Sequence, residues 1–200
     1  MAGRDVQGTA SDQDTRSEAP ESSPARKWLV LIYRIPAEPT RLRAAVWRRI
    51  KGLGAIYLQN SVAALPHAVQ AERAFRMLRK EIVEMGGTAH LLITEVLAGA
   101  SDVEQAYNAA RDDEYEEIID RCEDFLQQVE KEYLAEHFSY AELEENDEDL
   151  VKLRNWFGKV EARDVLGASR RAETITALER CETVLDGYAT RVYTEEGESR

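Results

Sequence analysis

Residues 28–33 read Trp-Leu-Val-Leu-Ile-Tyr, an unbroken run of branched, apolar and aromatic side chains of strand length. A run without polar alternation marks a strand buried on both faces or central in a sheet. Pro36 and Pro39 end it. Thr40 then offers an N-cap hydroxyl to a helix whose inner face is Leu42, Val46, Ile50 and Leu53, until Gly52 and Gly54 stop it. Two short strands are expected next, Ala55–Gln59 and Ser61–Leu65, with Asn60 at the bend and Pro66 closing. A second helix carries Ala71, Phe75, Leu78, Ile82 and Met85 on one face and ends at Gly86-Gly87, and Thr88–Leu97 reads as a last strand. The order β-α-β-β-α-β over residues 26–98 predicts a ferredoxin-like module, in which two helices cover one face of an antiparallel sheet.

From Ser101 onward the periodicity turns helical, so the fold class is α+β: a ferredoxin-like module followed by an all-α antiparallel helical bundle or hairpin over residues 101–190. Ser101 caps a long helix in which Val103, Ala106, Ala110, Tyr115, Ile118, Cys122, Phe125, Val129 and Tyr133 (or Glu132 beside it) step mostly by three and four. The step from Ala110 to Tyr115 breaks that rhythm and predicts a bend near Asp112. A second helix begins around Tyr140 and runs through Leu150, Leu153, Trp156 and Val160. A third takes Ala172, Ile175, Leu178, Cys181 or Glu182, and Leu185 inward and stops at Gly187, leaving a frayed tail over 191–200. None of these helices can bury its stripe alone, so they pack on one another. Residues 1–25 hold no apolar block and are expected to form a disordered arm.

The net charge of −12 conceals two opposed halves. Residues 26–81 hold 12 basic side chains against 3 acidic ones, whereas residues 82–200 hold 30 acidic against 12 basic. Such asymmetry points to a polyanionic partner for the basic half. On the first helix the basic positions are Arg41, Arg43, Arg48, Arg49 and Lys51; on the second they are Arg73, Arg76, Arg79 and Lys80. Arg41, Arg48 and Lys51 fall away from the first stripe with Arg43 and Arg49 on its flanks, and Arg73, Arg76 and Lys80 fall opposite the second with Arg79 beside them. If both helices share one side of the sheet they build one basic surface suited to a phosphate backbone or an oxyanion. Ordinary solvation is the competing explanation, but a merely soluble surface would mix both signs.

Other chemistries fit poorly. No apolar run approaches the roughly 20 residues of a membrane helix, and a cytoplasmic protein is expected. The acidic run Glu144–Asp149 lacks the spacing and central glycine of a calcium loop. The Glu-rich helices lack the inward Glu-x-x-His of a di-iron bundle, since Leu134 lies three residues before His137. Small ferredoxin-like nucleases carry a metal-binding acid near the end of the first strand, where this chain has Tyr33-Arg34. No catalytic residue, metal site or cofactor is assigned. Cys122 and Cys181 read as buried thiols, and Trp28 and Trp47 as packing groups.

The string from Trp28 to Arg43, followed by Val46-Trp47-Arg48-Arg49 and Leu53-Gly54-Ala55, resembles the opening of the ChrB family, regulators of bacterial chromate resistance. Glu142–Leu150 and Arg163-Asp164-Val165-Leu166-Gly167 are similar to the same family's amino-terminal domain. The resemblance implies a cytoplasmic, chromate-responsive transcriptional regulator whose first half looks like the ferredoxin-like module of PaaX-type repressors. It also implies operator DNA as partner, chromate or a similar oxyanion as effector, and a carboxy-terminal chromate-resistance domain supplied by another chain. Two mechanisms are carried forward. In one, the basic helices bind DNA and an oxyanion competes for their arginines. In the other, the domain is a non-catalytic assembly module: strand edges pair two copies into a homodimer, and the acidic bundle docks a partner or covers the basic face.

Overall fold

β1 (Lys27–Arg34) lies inside a four-stranded antiparallel sheet of order β2-β3-β1-β4, formed with β2 (Ile56–Gln59), β3 (Val62–Pro66) and β4 (Thr88–Glu95). The computed structural model describes residues 26–198, so the arm expected over 1–25 lies outside the described residues. Leu31 of β1 pairs Ala63 on one side and Leu91 on the other, which makes β1 the central antiparallel strand of a ferredoxin-like module. Its unalternated sequence has a direct cause. Successive side chains point to opposite faces of a strand, and both faces are covered, so Trp28, Leu29, Val30 and Leu31 are all buried.

One face is covered by α1 (Thr40–Gly52) and α2 (Val69–Glu84), whose stripes Val46-Ile50 and Phe75-Leu78-Ile82 enter the same core as Leu29 and Leu31. Burying each of these large side chains contributes about 1.5–3 kcal/mol. The other face is met by the first third of α3 (Ala100–Leu134): Tyr107 packs edge-on against Trp28 with ring centroids 5.9 Å apart, and Val103 and Ala110 join the same cluster. Beyond Tyr115, α3 leaves the sheet and packs with α4 (Tyr140–Glu161) and α5 (Arg171–Glu198) around Ile118, Cys122, Phe125, Val129, Leu150, Leu178 and Tyr188. One continuous helix therefore serves two cores.

The structure corrects several expectations. Thr40 is the first helical residue rather than the N-cap; Pro39 holds that place without a side-chain bond. Ser101 lies inside α3, which starts after Gly99 in the left-handed region (φ 72°), and its hydroxyl donates to Asp102 instead. β4 ends at Glu95 rather than Leu97, β2 starts at Ile56 rather than Ala55, and β3 is shifted by one residue to Val62–Pro66, so that Pro66 lies within the strand. α3 runs unbroken through Asp112, Arg111 takes the inward position that the apolar pattern leaves vacant, and Tyr107 rather than Ala106 faces the sheet. Gly187 does not end α5, nor does the chain fray at 191: the helix runs to Glu198 with Tyr188 and Val192 buried. The roughly 1 kcal/mol that a mid-helix glycine costs is outweighed by those two buried side chains. Where α4 begins, Ser139 accepts from the Glu142 amide at 3.3 Å, an N-cap bond.

Candidate nucleic-acid interface

α1 and α2 lie side by side on one face of the sheet, bridged by Arg49 and Glu81 at 3.5 Å. Each residue advances about 100° around a helix, which fixes where every predicted basic side chain goes. Arg41 and Arg48 stand opposite Val46 and Ile50 on α1; Arg73 and Lys80 stand opposite Phe75 and Ile82 on α2. These four are exposed and make one outward face. Arg41, Arg48 and Arg73 have neither an acid nor a hydrogen-bond partner among the described residues, and Lys80 reaches Glu84 at 3.7 Å.

Of the other five predicted residues, Lys51 and Arg76 border that face, one helical turn from Arg48 and Arg73, and Arg43, Arg49 and Arg79 lie on its flanks. Arg49 turns toward α2 and Glu81. Arg76 pairs Glu72 at 2.7 Å, and Arg79 donates to the Ala89 carbonyl at 3.1 Å, tying α2 to β4. Glu72 is held below its ordinary value by Arg76 first and His67 second. Arg43 lies on the flank of α1 that looks away from α2, with Lys51 between it and the outward face. The predicted single surface thus resolves into an outward face and two flanks. The acidic helices do not cover the outward face: α3 meets the opposite side of the sheet, where Glu104 pairs Arg26 at 3.0 Å.

On the Arg43 flank a cleft of about 640 Å³ opens between α1, the end of β1 and the β2–β3 turn. Arg34, Arg43, Trp47, Tyr57 and Asn60 line it. The hydroxyls of Tyr33 and Tyr57 lie 3.1 Å apart there; burial, then Tyr33, pushes the Tyr57 phenol well up. Trp47, read from the sequence as packing, is 50% exposed, with Lys51 5.7 Å over its ring. Arg34 and Tyr33 close the strand that organises the fold, yet nothing in their spacing signals a cleft, since its far wall comes from residues 57–61.

Residues 43–199 match the family described as "Protein ChrB, N-terminal". The chain belongs to the ChrB amino-terminal family. A relative named Protein ChrB, from Cupriavidus metallidurans, is 26% identical over 106 residues, covering 53% of this chain and 30% of that protein. The chain thus spans less than a third of that curated relative in alignment. No solved structure matches it. Within this ChrB-family chain the match starts at Arg43, so β1 and its organising run precede the matched span.

The matched span also contains a partly buried polar junction between α1, α3 and the end of α4. Arg111 of α3 is 3% exposed and donates to the Gly54 carbonyl at 2.7 Å, its guanidinium 5.1 Å over the Tyr107 ring. Arg163, just beyond α4, donates to the Gly52 carbonyl at 3.0 Å. Glu114 sits between them, 3.1 Å from Arg111 and 3.0 Å from Arg163. Two guanidinium groups thus occupy the carbonyl end of α1, the negative end of its dipole. Tyr107 and Tyr115 lock the same corner by donating to the Arg163 carbonyl at 2.5 Å and to Asp164 at 3.2 Å. Sequence reasoning missed this junction. Its traces were the interrupted apolar rhythm between Ala110 and Tyr115 and the blocks around Gly54 and Arg163-Asp164, which carried the family resemblance but no sign that they meet.

Proposed function

We propose that this chain is the amino-terminal, non-catalytic part of a chromate-responsive transcriptional regulator, and that it binds duplex DNA through the outward face of α1 and α2. One observation carries the reading: Arg41, Arg48 and Arg73 point the same way as Lys80, are exposed, and have no acid beside them while the chain as a whole is strongly acidic. Guanidinium forks suit phosphate oxygens, and contacts made to phosphate alone carry little sequence preference. Family membership supports the regulatory setting. The effector in this proposal is chromate or a similar tetrahedral oxyanion, which competes with phosphate for the same arginines. A cytoplasmic location belongs to this proposal, since operator DNA is its ligand; among the described residues no helix is long and apolar enough to cross a membrane. The carboxy-terminal chromate-resistance domain is the partner that would complete sensing.

Four phosphate contacts give a slope of about −3.6 in log K against log salt, so raising salt from about 50 to about 200 mM should weaken binding roughly 150-fold. A mobility shift with the resistance promoter at those two concentrations tests it. Binding that is undetectable at low salt, or indifferent to salt, rejects the DNA reading. Release by chromate but not by sulfate at equal ionic strength tests the effector. A second reading, the homodimeric assembly module, is favoured by the open edge of β4, where Leu92 and Ile93 are exposed; sedimentation at micromolar concentration distinguishes it.

A further inference from the structure

The cleft beside α1 has features that the duplex-binding face does not need. Two guanidinium groups, Arg34 and Arg43, come to it from different elements, and neither has a partner among the described residues. No carboxylate lines it, so its walls carry two uncompensated positive charges. Beside them stands Trp47, half exposed although its ring is among the largest apolar surfaces a chain can bury. The opposite wall is the Tyr57 phenol and the β2–β3 turn, where Ser61 holds a left-handed backbone conformation (φ 63°) that a residue with a side chain seldom adopts. The Ser61 carbonyl is fixed by the Tyr33 amide at 3.0 Å, so the turn is held in place against β1. Asn60 at its tip offers both an amide donor and an acceptor.

We propose that this cleft binds an aromatic base that carries a phosphate: a nucleoside monophosphate, either free or as an unpaired nucleotide of a single strand. The base stacks on Trp47, Asn60 reads its edge, and Arg34 and Arg43 hold the phosphate from two sides. A bare tetrahedral anion would satisfy the arginines and leave the aromatic wall unused. An uncharged aromatic compound would leave both cations unpaired. A nucleotide uses both, and its size suits a cleft of about 640 Å³. Guanidinium forks match phosphate oxygens bidentately, and base–aromatic stacking tolerates any base.

The inference stands apart from the duplex reading, because Arg41, Arg48 and Arg73 lie on another side of α1 and α2. The full chain is titrated by calorimetry with adenosine monophosphate, adenosine and inorganic phosphate, and then with a short single-stranded oligonucleotide. Saturable binding of the monophosphate, at least about tenfold tighter than either adenosine or phosphate alone, is the expected result. W47A and R34A should each weaken it about tenfold or more while their melting temperatures stay near the parent's. Tighter binding of the oligonucleotide than of the free nucleotide assigns the cleft to a strand; the reverse assigns it to a free ligand. The proposal is overturned if phosphate binds as well as the monophosphate, if no saturation is reached, or if W47A and R34A bind like the parent. Loss of duplex binding in R41A/R48A with monophosphate binding intact would separate the two sites.

Discussion

Replacing Gly54 by alanine should separate the two lobes of this protein more cleanly than any other single change. Gly54 has φ +76°, and a Cβ there would lie 2.6 Å from the Arg111 guanidinium and 2.7 Å from Arg163 Cδ. The left-handed conformation costs a non-glycine residue about 1–2 kcal/mol. Displacing Arg111 also weakens a hydrogen bond from a charged, buried donor, worth about 1.5–3 kcal/mol. Together these give about 2.5–5 kcal/mol. At about 2–4 °C per kcal/mol for a chain of this size, the melting temperature should fall by about 5–20 °C. The matched control is Gly52→Ala two residues earlier: nothing lies within 4 Å of its Cβ and its φ is not positive. That change should be neutral or raise stability by up to about 1 kcal/mol through helix propensity. Thermal melts followed by circular dichroism, with denaturant titrations as a second measure, decide it. If Gly54→Ala melts within about 2 °C of the parent, or if Gly52→Ala costs as much, the Arg111–Gly54 junction does not hold the lobes together as argued.

Three further outcomes follow from other parts of the structure. Asn146→Ala removes the amide that donates to the buried Glu132 carboxylate at 2.6 Å, and should cost about 2–3 kcal/mol in urea denaturation, because that charge loses its shortest hydrogen bond and keeps the Gln128 amide at 2.9 Å with the Tyr188 hydroxyl nearby. Cys122 and Cys181 are fully buried and in contact, and the bond to Cys122 together with burial pushes the Cys181 thiol well up; neither should react with iodoacetamide in the native protein at about pH 8, and both should react in denaturant. Glu72→Gln should lower stability slightly above about pH 4.5. Because the carboxyl is held down in the folded state by Arg76 and then His67, its contribution is present above the ordinary value of 4.5 and disappears as pH falls through the folded value. The parent and variant melting curves should therefore converge in acid, and a gap that widens there would reverse the assignment.

Much of the fold was legible in local pattern. The unalternated run at 28–33 announced a strand covered on both sides or central in its sheet, which holds for its position and for the burial of residues 28–31 but not of Ile32. The stripes on α1 and α2 announced which helix faces turn inward, and the sequence order announced the ferredoxin-like module. Misreadings arose where a single residue acted against its type. Ser101 and Thr40 carry capping hydroxyls, yet Gly99 and Pro39 start those helices. Gly187 carries a stop signal, yet Tyr188 and Val192 beyond it have a core to enter.

Periodicity alone determines which side of a helix is wet and which is dry, because that depends only on 3.6 residues per turn and on the cost of leaving carbon in water. It therefore assigned the outward direction of Arg41, Arg48, Lys51, Arg73, Arg76 and Lys80 before any neighbour was known, though not that Arg76 would pair Glu72 or that Lys51 would lie over Trp47. What lies beside a helix is set by chain segments far away in sequence, and only the tertiary structure decides that. It placed Glu81 next to Arg49, gave Arg43 and Trp47 a facing wall from the β2–β3 turn, and brought the Gly54 carbonyl within 2.7 Å of Arg111, 57 residues further along. A charged side chain turned inward is tolerable only when a distant acceptor meets it, and no local pattern carries that information.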